Sequence, residues 1–592
     1  MASINGSVTF GFQPTGYSGD NVTQAFPNQE SRTNTLKSAN DQLRYQVQWF
    51  NGTSINEGVE PSAANFNSTA LTGDVVNIVF RVYSNVRSGT SFPNDWELLG
   101  TIKQSRDIAN KRFDGGVLAL GHRFTIDVSG LISDQLSYSL CPINKGTWES
   151  SEYGGMNGGA TMQDNVLSGT NAVGEPVSQY NVSDNGTYRY LKVKANYEII
   201  NADGEIQTAT GAITSNEITV INSVNQFSED KTPYFKTFNI GNSESNKYSL
   251  LTRSPNNTNS FKQIREDEQA EFLQFYVNRA DSTNISTEDE VAAMALKIET
   301  VENNSVVDTF YLRDFEDNLL TSTSSGNLTY LSNIQKKMCI QNISPFYINN
   351  SGNLYEPDDT RVAAPSSNFP YWSTYAGNKI LSTTETYRVS LVKISLFGGG
   401  VERRVSDYYL YDIDRESDNL AYGYVRFHWL NSMGGIDSYT AKRDVVEGIT
   451  ISRGVIERNS ADRTWYQNDE SYAGASLNYY SDTMRGGNLY KGGREVSNIN
   501  ADKSLSVYTE PLNKPNAEWL QGMLLSPNVW IEKDTEATQE GNALNPYLRP
   551  STKGYIPVII TNSDAETVNQ SNGLVRFNIE YTLAHKVQTQ RN

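Results

Sequence analysis

Cysteine is almost missing: the 592 residues contain two, Cys141 and Cys339, far apart in the chain. That excludes a disulfide framework as the organising device and suits assembly in a reducing cytoplasm. Histidine is nearly as scarce, with His122, His428 and His585 in three separate stretches. Histidine is the usual general base near neutral pH, and none of these stands at a diagnostic spacing from a Ser or Cys nucleophile. They read as single side chains on strand faces or in loops. No G-x-S-x-G, H-E-x-x-H, C-x-x-C or G-x-x-x-x-G-K-[ST] motif occurs. The expectation is therefore a non-enzymatic chain with no catalytic residue, no metal and no cofactor. A glycosidase pair of carboxylates needs only spatial proximity and stays open as an alternative.

Long apolar runs are absent too. Nowhere do eighteen apolar residues follow one another, so no membrane span is expected. The opening residues 1–7 have neither the basic nor the apolar region of a signal peptide, so export by a leader is not expected. Basic charge is in deficit: 49 Lys and Arg against 67 Asp and Glu give a net charge of −18. Such a chain repels a phosphate backbone at long range, which argues against nucleic-acid recognition. The basic pairs Arg403-Arg404 and Lys442-Arg443 read as solvated strand faces.

What is present favours β-structure. Aromatic content is 11%, with 34 tyrosines, and mean hydropathy is −0.53, so thin apolar material is carried by residues that suit half-buried strands. Leu43, Tyr45, Val47 and Trp49 alternate with polar residues, as one buried sheet face requires. Further strands are expected at 75–83, 124–128 and 136–140. The Gly-rich stretch 153–174 has no period and reads as a long contact loop. Leu191, Val193, Ala195, Tyr197 and Ile199 then share one face of a strand. A turn at 201–204 and a closing strand at 218–220 follow.

This order is similar to the last strands of an immunoglobulin or fibronectin type III sandwich, with Tyr188 where that fold places its tyrosine corner. The pattern returns at Thr386-Tyr387-Arg388, which echoes Thr187-Tyr188-Arg189 and makes Tyr387 the equivalent tyrosine. A repeated sandwich is expected, with a hairpin in the second unit turning at Asn303-Asn304. Asp412, Asp414, Glu416 and Asp418 resemble half of a calcium loop, but the required Gly and the final Glu are missing, so the segment reads as an acidic linker. One helix is expected after Pro515, with Trp519, Leu520, Met523 and Leu524 on one face and Ser526-Pro527 as its stop.

The expected fold is mainly β, built of antiparallel sandwiches of immunoglobulin or fibronectin III type with one short C-terminal helix. Three domains follow: a sandwich at 1–225 with the Gly-rich loop, a second at 226–415, and a β-rich assembly domain at 416–592. In the last, the strand from Tyr424 to Trp429, the Gly434-Gly435 turn, which can take positive φ, and the run through Ile436 to Tyr439 resemble virion structural proteins of tailed phages. The similarity is to those of crAss-like phages and others infecting Bacteroidetes-type hosts. The segments 519–530, 555–560 and 574–584 are similar to the end of the same group.

That resemblance covers about residues 420–592 and implies a neck, ring or tail protein of a virion assembled in the host cytoplasm. Its partners would be other virion proteins and copies of itself in a cyclic homo-oligomer, with DNA passing without sequence recognition. Trp465, Tyr466, Tyr472, Tyr479 and Tyr480 are the candidate interface aromatics, and Tyr188, Tyr387, Gly434 and Gly435 the candidate structural positions. The alternative is a host-binding tail spike or glycan-binding adhesin.

Overall fold

The computed structural model describes residues 6–12, 36–40, 43–51, 75–85, 93–94, 96–107, 112–114, 117–119, 121–136, 143–144, 188–200, 203–208, 212–224, 248–255, 262–265, 269–277, 291–313, 337–350, 354–357, 372–374, 377, 379–395, 402–404, 406–415, 424–458, 493–534, 552–561 and 573–584. It is mainly β, with several multi-strand sheets whose pairings are antiparallel with two exceptions.

The first unit is a sandwich. One sheet has the order Gly6–Phe12, Arg44–Asn51, Gly121–Asp127, and the other Leu36–Ser38, Ile218–Ile221, Tyr188–Ile200, Val75–Asn85, Glu97–Asp107. Leu36–Ser38 runs parallel to Ile218–Ile221. The alternation read in the sequence places Tyr45, Val47 and Trp49 of the first sheet against Phe80, Val193 and Ala195 of the second in one buried core. Trp49 meets Tyr197 edge to face at 6.4 Å, a favoured arrangement for two rings.

The second unit repeats this order. Tyr248–Leu250, Phe272–Val277 and Lys337–Asn342 form one sheet. The facing sheet runs Lys262–Arg265, Tyr409–Asp414, Thr386–Ser395, Val291–Glu302, Ser305–Arg313, extended by Leu354–Pro357 and Trp372–Thr374. Again the first strand of the larger sheet is parallel to the last. The hairpin turns at Asn303 and Asn304, whose φ of 49° and 62° make the type I′ turn that matches strand twist.

Two details mark the repeat. The Ser215 hydroxyl accepts from the Val193 N–H (2.9 Å) and donates to the Asn216 carbonyl (3.1 Å). Ser406 does the same with Leu391 (2.8 Å) and Asp407 (2.9 Å). Tyr387 is buried and its hydroxyl donates to the Ile343 carbonyl at 2.8 Å, the tether of a tyrosine corner. Tyr188 begins its strand opposite Ile221, as Tyr387 lies opposite Tyr411.

The helical content exceeds the single helix expected from sequence. Short helices Ser129–Ser133 and Pro345–Asn350 each follow the third strand of a small sheet. At five and six residues they are too short to show amphipathic period. The expected strand at 136–140 begins after the first of them, where Leu136 makes a single bridge; residues 137–140 lie outside the described residues, as does the stretch 153–174.

The third unit is one antiparallel sheet ordered Ile436–Ala441, Val425–Leu430, Val529–Asp534, Thr552–Ile560, Asn578–Leu583, Gly493–Tyr508, Arg443–Arg458. The helix Lys514–Leu524 covers one face. Asn513 caps it by accepting from the Asn516 N–H (3.1 Å), and Pro515 stands in the first turn. Trp519, Leu520 and Met523 are buried against Phe427, Trp429, Val529 and Phe577. The strand Val425–Leu430 is buried at every position, because the second unit covers its other face.

Candidate functional site

The most specific side-chain arrangement is the junction where the three units meet. It is built around the turn from Asn431 to Asp437. Asn431 N–H donates to the Gly435 carbonyl (2.8 Å) and Gly434 N–H to the Asn431 carbonyl (3.0 Å), while the Asn431 Oδ1 accepts from the N–H groups of Met433 (2.9 Å) and Gly435 (3.0 Å). Gly434 has φ +84°, a conformation glycine adopts at little cost.

From this turn, contacts reach both sandwiches. The Ser432 carbonyl accepts from the Val224 N–H of the first unit at 2.9 Å. A side chain at Gly434 would stand 3.1 Å from the Asn222 carbonyl oxygen, and one at Gly435 only 1.8 Å from that of Leu251 in the second unit. Asn431 Nδ2 donates to the same Leu251 oxygen (2.9 Å), and Ile436 N–H donates to Gln274 Oε1. Asp437 is buried and accepts from the Thr252 hydroxyl (2.5 Å), the Arg253 N–H (3.3 Å) and the Trp519 indole N–H (2.9 Å). One carboxylate thus joins the second sandwich to the C-terminal helix.

A second polar layer lies beside it. Arg426 is buried and donates to the Ala270 carbonyl through Nε (3.2 Å) and Nη2 (2.8 Å), to Thr440 Oγ1 (2.8 Å), and to the Glu271 carboxylate. Its guanidinium fork suits this multiple engagement. The Thr440 hydroxyl in turn donates to Gln269 Oε1 (3.2 Å). His428, two residues along and on the same face, sits between Glu532 (Nε2 to Oε2, 3.0 Å) and Ser438 (Nδ1 to Oγ, 2.8 Å).

Burial holds the His428 pKa below its ordinary value; hydrogen bonding to Glu532 opposes that shift and the Arg426 charge adds to it. A neutral ring then carries its proton on Nε2, facing the carboxylate, and accepts from Ser438 on Nδ1. Phe272 (5.5 Å) and Tyr555 (5.3 Å) pack on the ring and keep water from it. Outside this layer, Lys442 pairs with Asp414, so it ties the second unit to the third; the expectation of a purely solvated basic face is corrected there. Arg404 lies over the Tyr408 ring at 4.1 Å.

Chemically, these groups hold backbone segments of three units in one register. Gly434 and Gly435, singled out from sequence, are at its centre. Tyr387 is in the core of the second unit, within electrostatic reach of Glu271 and Arg426 of the polar layer. Trp465, Tyr466, Tyr472, Tyr479 and Tyr480 lie outside the described residues, as do Glu416, Asp418 and His585. Sequence reasoning missed Arg426 and Asp437 and read His428 only as a single side chain on a strand face or in a loop; the available signal was Arg426 and His428 at alternate positions of a strand whose other face is Phe427 and Trp429, which leaves no face for solvent.

The other feature is an exposed ribbon. Arg443–Arg458 and Gly493–Tyr508 pair over almost their full lengths, 16 residues each, or roughly 50 Å at the usual rise per residue. Only Ser504–Tyr508 is held by the neighbouring strand. Among the described residues Arg443–Arg458 is the edge of its sheet, and Ile449, Ile451 and Val455 on it are 55%, 43% and 55% exposed.

No known family matches the chain, and no curated protein matches it. Among solved structures, the native conformation of Escherichia coli α-2-macroglobulin is similar at 7% identity and a TM-score of 0.15, the match covering 86% of this chain and 22% of that one. The chain therefore spans about a fifth of that protein's length. A likeness at this level carries no argument about fold or function. No helix among the described residues is long and apolar enough to cross a membrane.

Proposed function

We propose that the chain is a structural component of a tailed-phage virion, a subunit of a cyclic oligomer in the neck, ring or tail that contacts its neighbours through strand edges and loops. The observation that carries this reading is the buried junction. A polar network spanning three units fixes their relative orientation, because each displaced group would be left buried without its partner. A subunit that must present fixed surfaces to several neighbours needs that property. The resemblance of residues 420–592 to phage virion proteins supplies the particular particle.

The test is gold labelling of intact phage particles with an antibody against the chain, beside polysaccharide binding by the purified protein. Label at one axial position supports the structural role. Unlabelled particles, with a discrete trimer that binds polysaccharide, would replace it with the adhesin.

A further inference from the structure

We propose that two copies of this chain pair through the outer edge of the strand Arg443–Arg458, antiparallel about a twofold axis at Thr450. This goes beyond the proposed function and does not rest on the phage assignment. A long, unprotected edge is a template for another strand, and proteins usually blunt it with proline, lysine or a covering element. Here the edge strand reads RDVVEGITISRGVIER, with no proline and no lysine, and its residues 446–453 are all exposed.

The sequence of that strand is self-complementary. Antiparallel pairing centred on Thr450 sets Glu447 of one copy opposite Arg453 of the other, and Ile449 opposite Ile451, each twice by symmetry. On the other face Gly448 falls opposite Ser452, Val446 opposite Gly454, and Thr450 opposite its own copy. A shift of two residues either way sets Glu447 or Arg453 opposite an apolar side chain, and a shift of one turns the faces out of register. Thr450 is therefore the centre that satisfies charge and apolar pairs together.

Charge selects a second copy over an unrelated partner. The chain carries −18 overall, which opposes self-association through most of its surface. The two ribbon strands hold basic and acidic residues in equal number. They form a neutral surface by which two such molecules can meet. Strand addition there continues the sheet from one copy into the next, with main-chain hydrogen bonds supplying affinity and the side-chain pairs the register. In a ring-forming subunit, such a dyad would join two rings face to face.

The experiment is sedimentation of the full chain with charge variants at exposed positions. Glu447→Lys and Arg453→Glu each replace two attractive cross-strand pairs by two repulsive ones, and each should weaken the dimer by about tenfold or more. The double variant E447K/R453E restores opposite charges across the dyad and should recover affinity to within about threefold of the unaltered chain. Thr450→Cys should form a covalent dimer on mild oxidation, because residues opposite across antiparallel strands have Cα separations within disulfide reach; Ile559→Cys, exposed on a central strand, should not. A monomer at all concentrations, an oligomer indifferent to the single variants, or a double variant as weak as the singles would each overturn the proposal.

Discussion

Gly435→Ala tests the junction most sharply, because the residue has no unusual φ and its only constraint is space. The new Cβ would lie 1.8 Å from the Leu251 oxygen, 2.9 Å from its carbonyl carbon and 2.5 Å from Gln274 Oε1. The first two are backbone atoms, so relief requires the turn and the second unit to separate by more than an ångström. That movement breaks or stretches the bonds from Asn431 to Leu251, from Ile436 to Gln274 and from Thr252 to Asp437. At about 1 kcal/mol net per bond, with more for each group left buried and unsatisfied, the loss is about 3–5 kcal/mol. The assay is urea unfolding followed by tryptophan fluorescence and circular dichroism. A junction that couples the units predicts an earlier transition, separated into two steps where the unaltered chain has one. Gly204→Ala is the control: its φ is +82° with nothing near the added carbon, so it should cost only the left-handed backbone, about 1–2 kcal/mol. A loss below about 1 kcal/mol for Gly435→Ala, with cooperativity intact, would refute the reasoning.

Asp437→Ala should cost about 2–4 kcal/mol, because the Trp519 indole and the Thr252 hydroxyl lose a charged acceptor; urea midpoints with fluorescence measure it, and a neutral result would remove the carboxylate from the junction. Arg426→Met leaves Glu271 buried without its cation and should cost about 3–5 kcal/mol, while the double change with Glu271→Gln should recover part of that; calorimetry of both variants checks the order. Tyr387→Phe should lose about 1 kcal/mol through the Ile343 tether, with the same spectrum as the unaltered chain. For His428 the folded pKa lies below the unfolded value near 6.5, so the unfolded chain takes up a proton that the native state refuses. Its contribution is complete above about pH 6.5 and is lost as pH falls toward the folded pKa. The slope of stability against pH over that window should shrink in His428→Gln, and an unchanged slope would contradict the neutral assignment.

Much of the fold could be read from local pattern. The alternation at Leu191 to Ile199 is the buried face of Tyr188–Ile200, Asn303-Asn304 makes its two-residue turn, and Pro515 and Trp519 mark the helix. These signals are legible because backbone geometry and burial repeat within a few residues. The junction was legible only in part. Gly434-Gly435 announces a turn, but what crowds it comes from Asn222 and Leu251, far upstream in the chain. Arg426 and His428 look like ordinary polar strand positions until a second sheet is placed on them. The Thr-Tyr-Arg echo pointed to a repeat, whereas the paired serines Ser215 and Ser406 have no distinctive sequence context and became visible only through their bonds.

The most direct test of the proposed role is electron microscopy of intact particles at a resolution that traces the chain. The account predicts a fixed number of copies arranged around the particle axis, each with its three units in the relative orientation set by the Asn431 to Asp437 turn. Particles that lack the chain, or copies in which the two sandwiches swing freely about that turn, would contradict it.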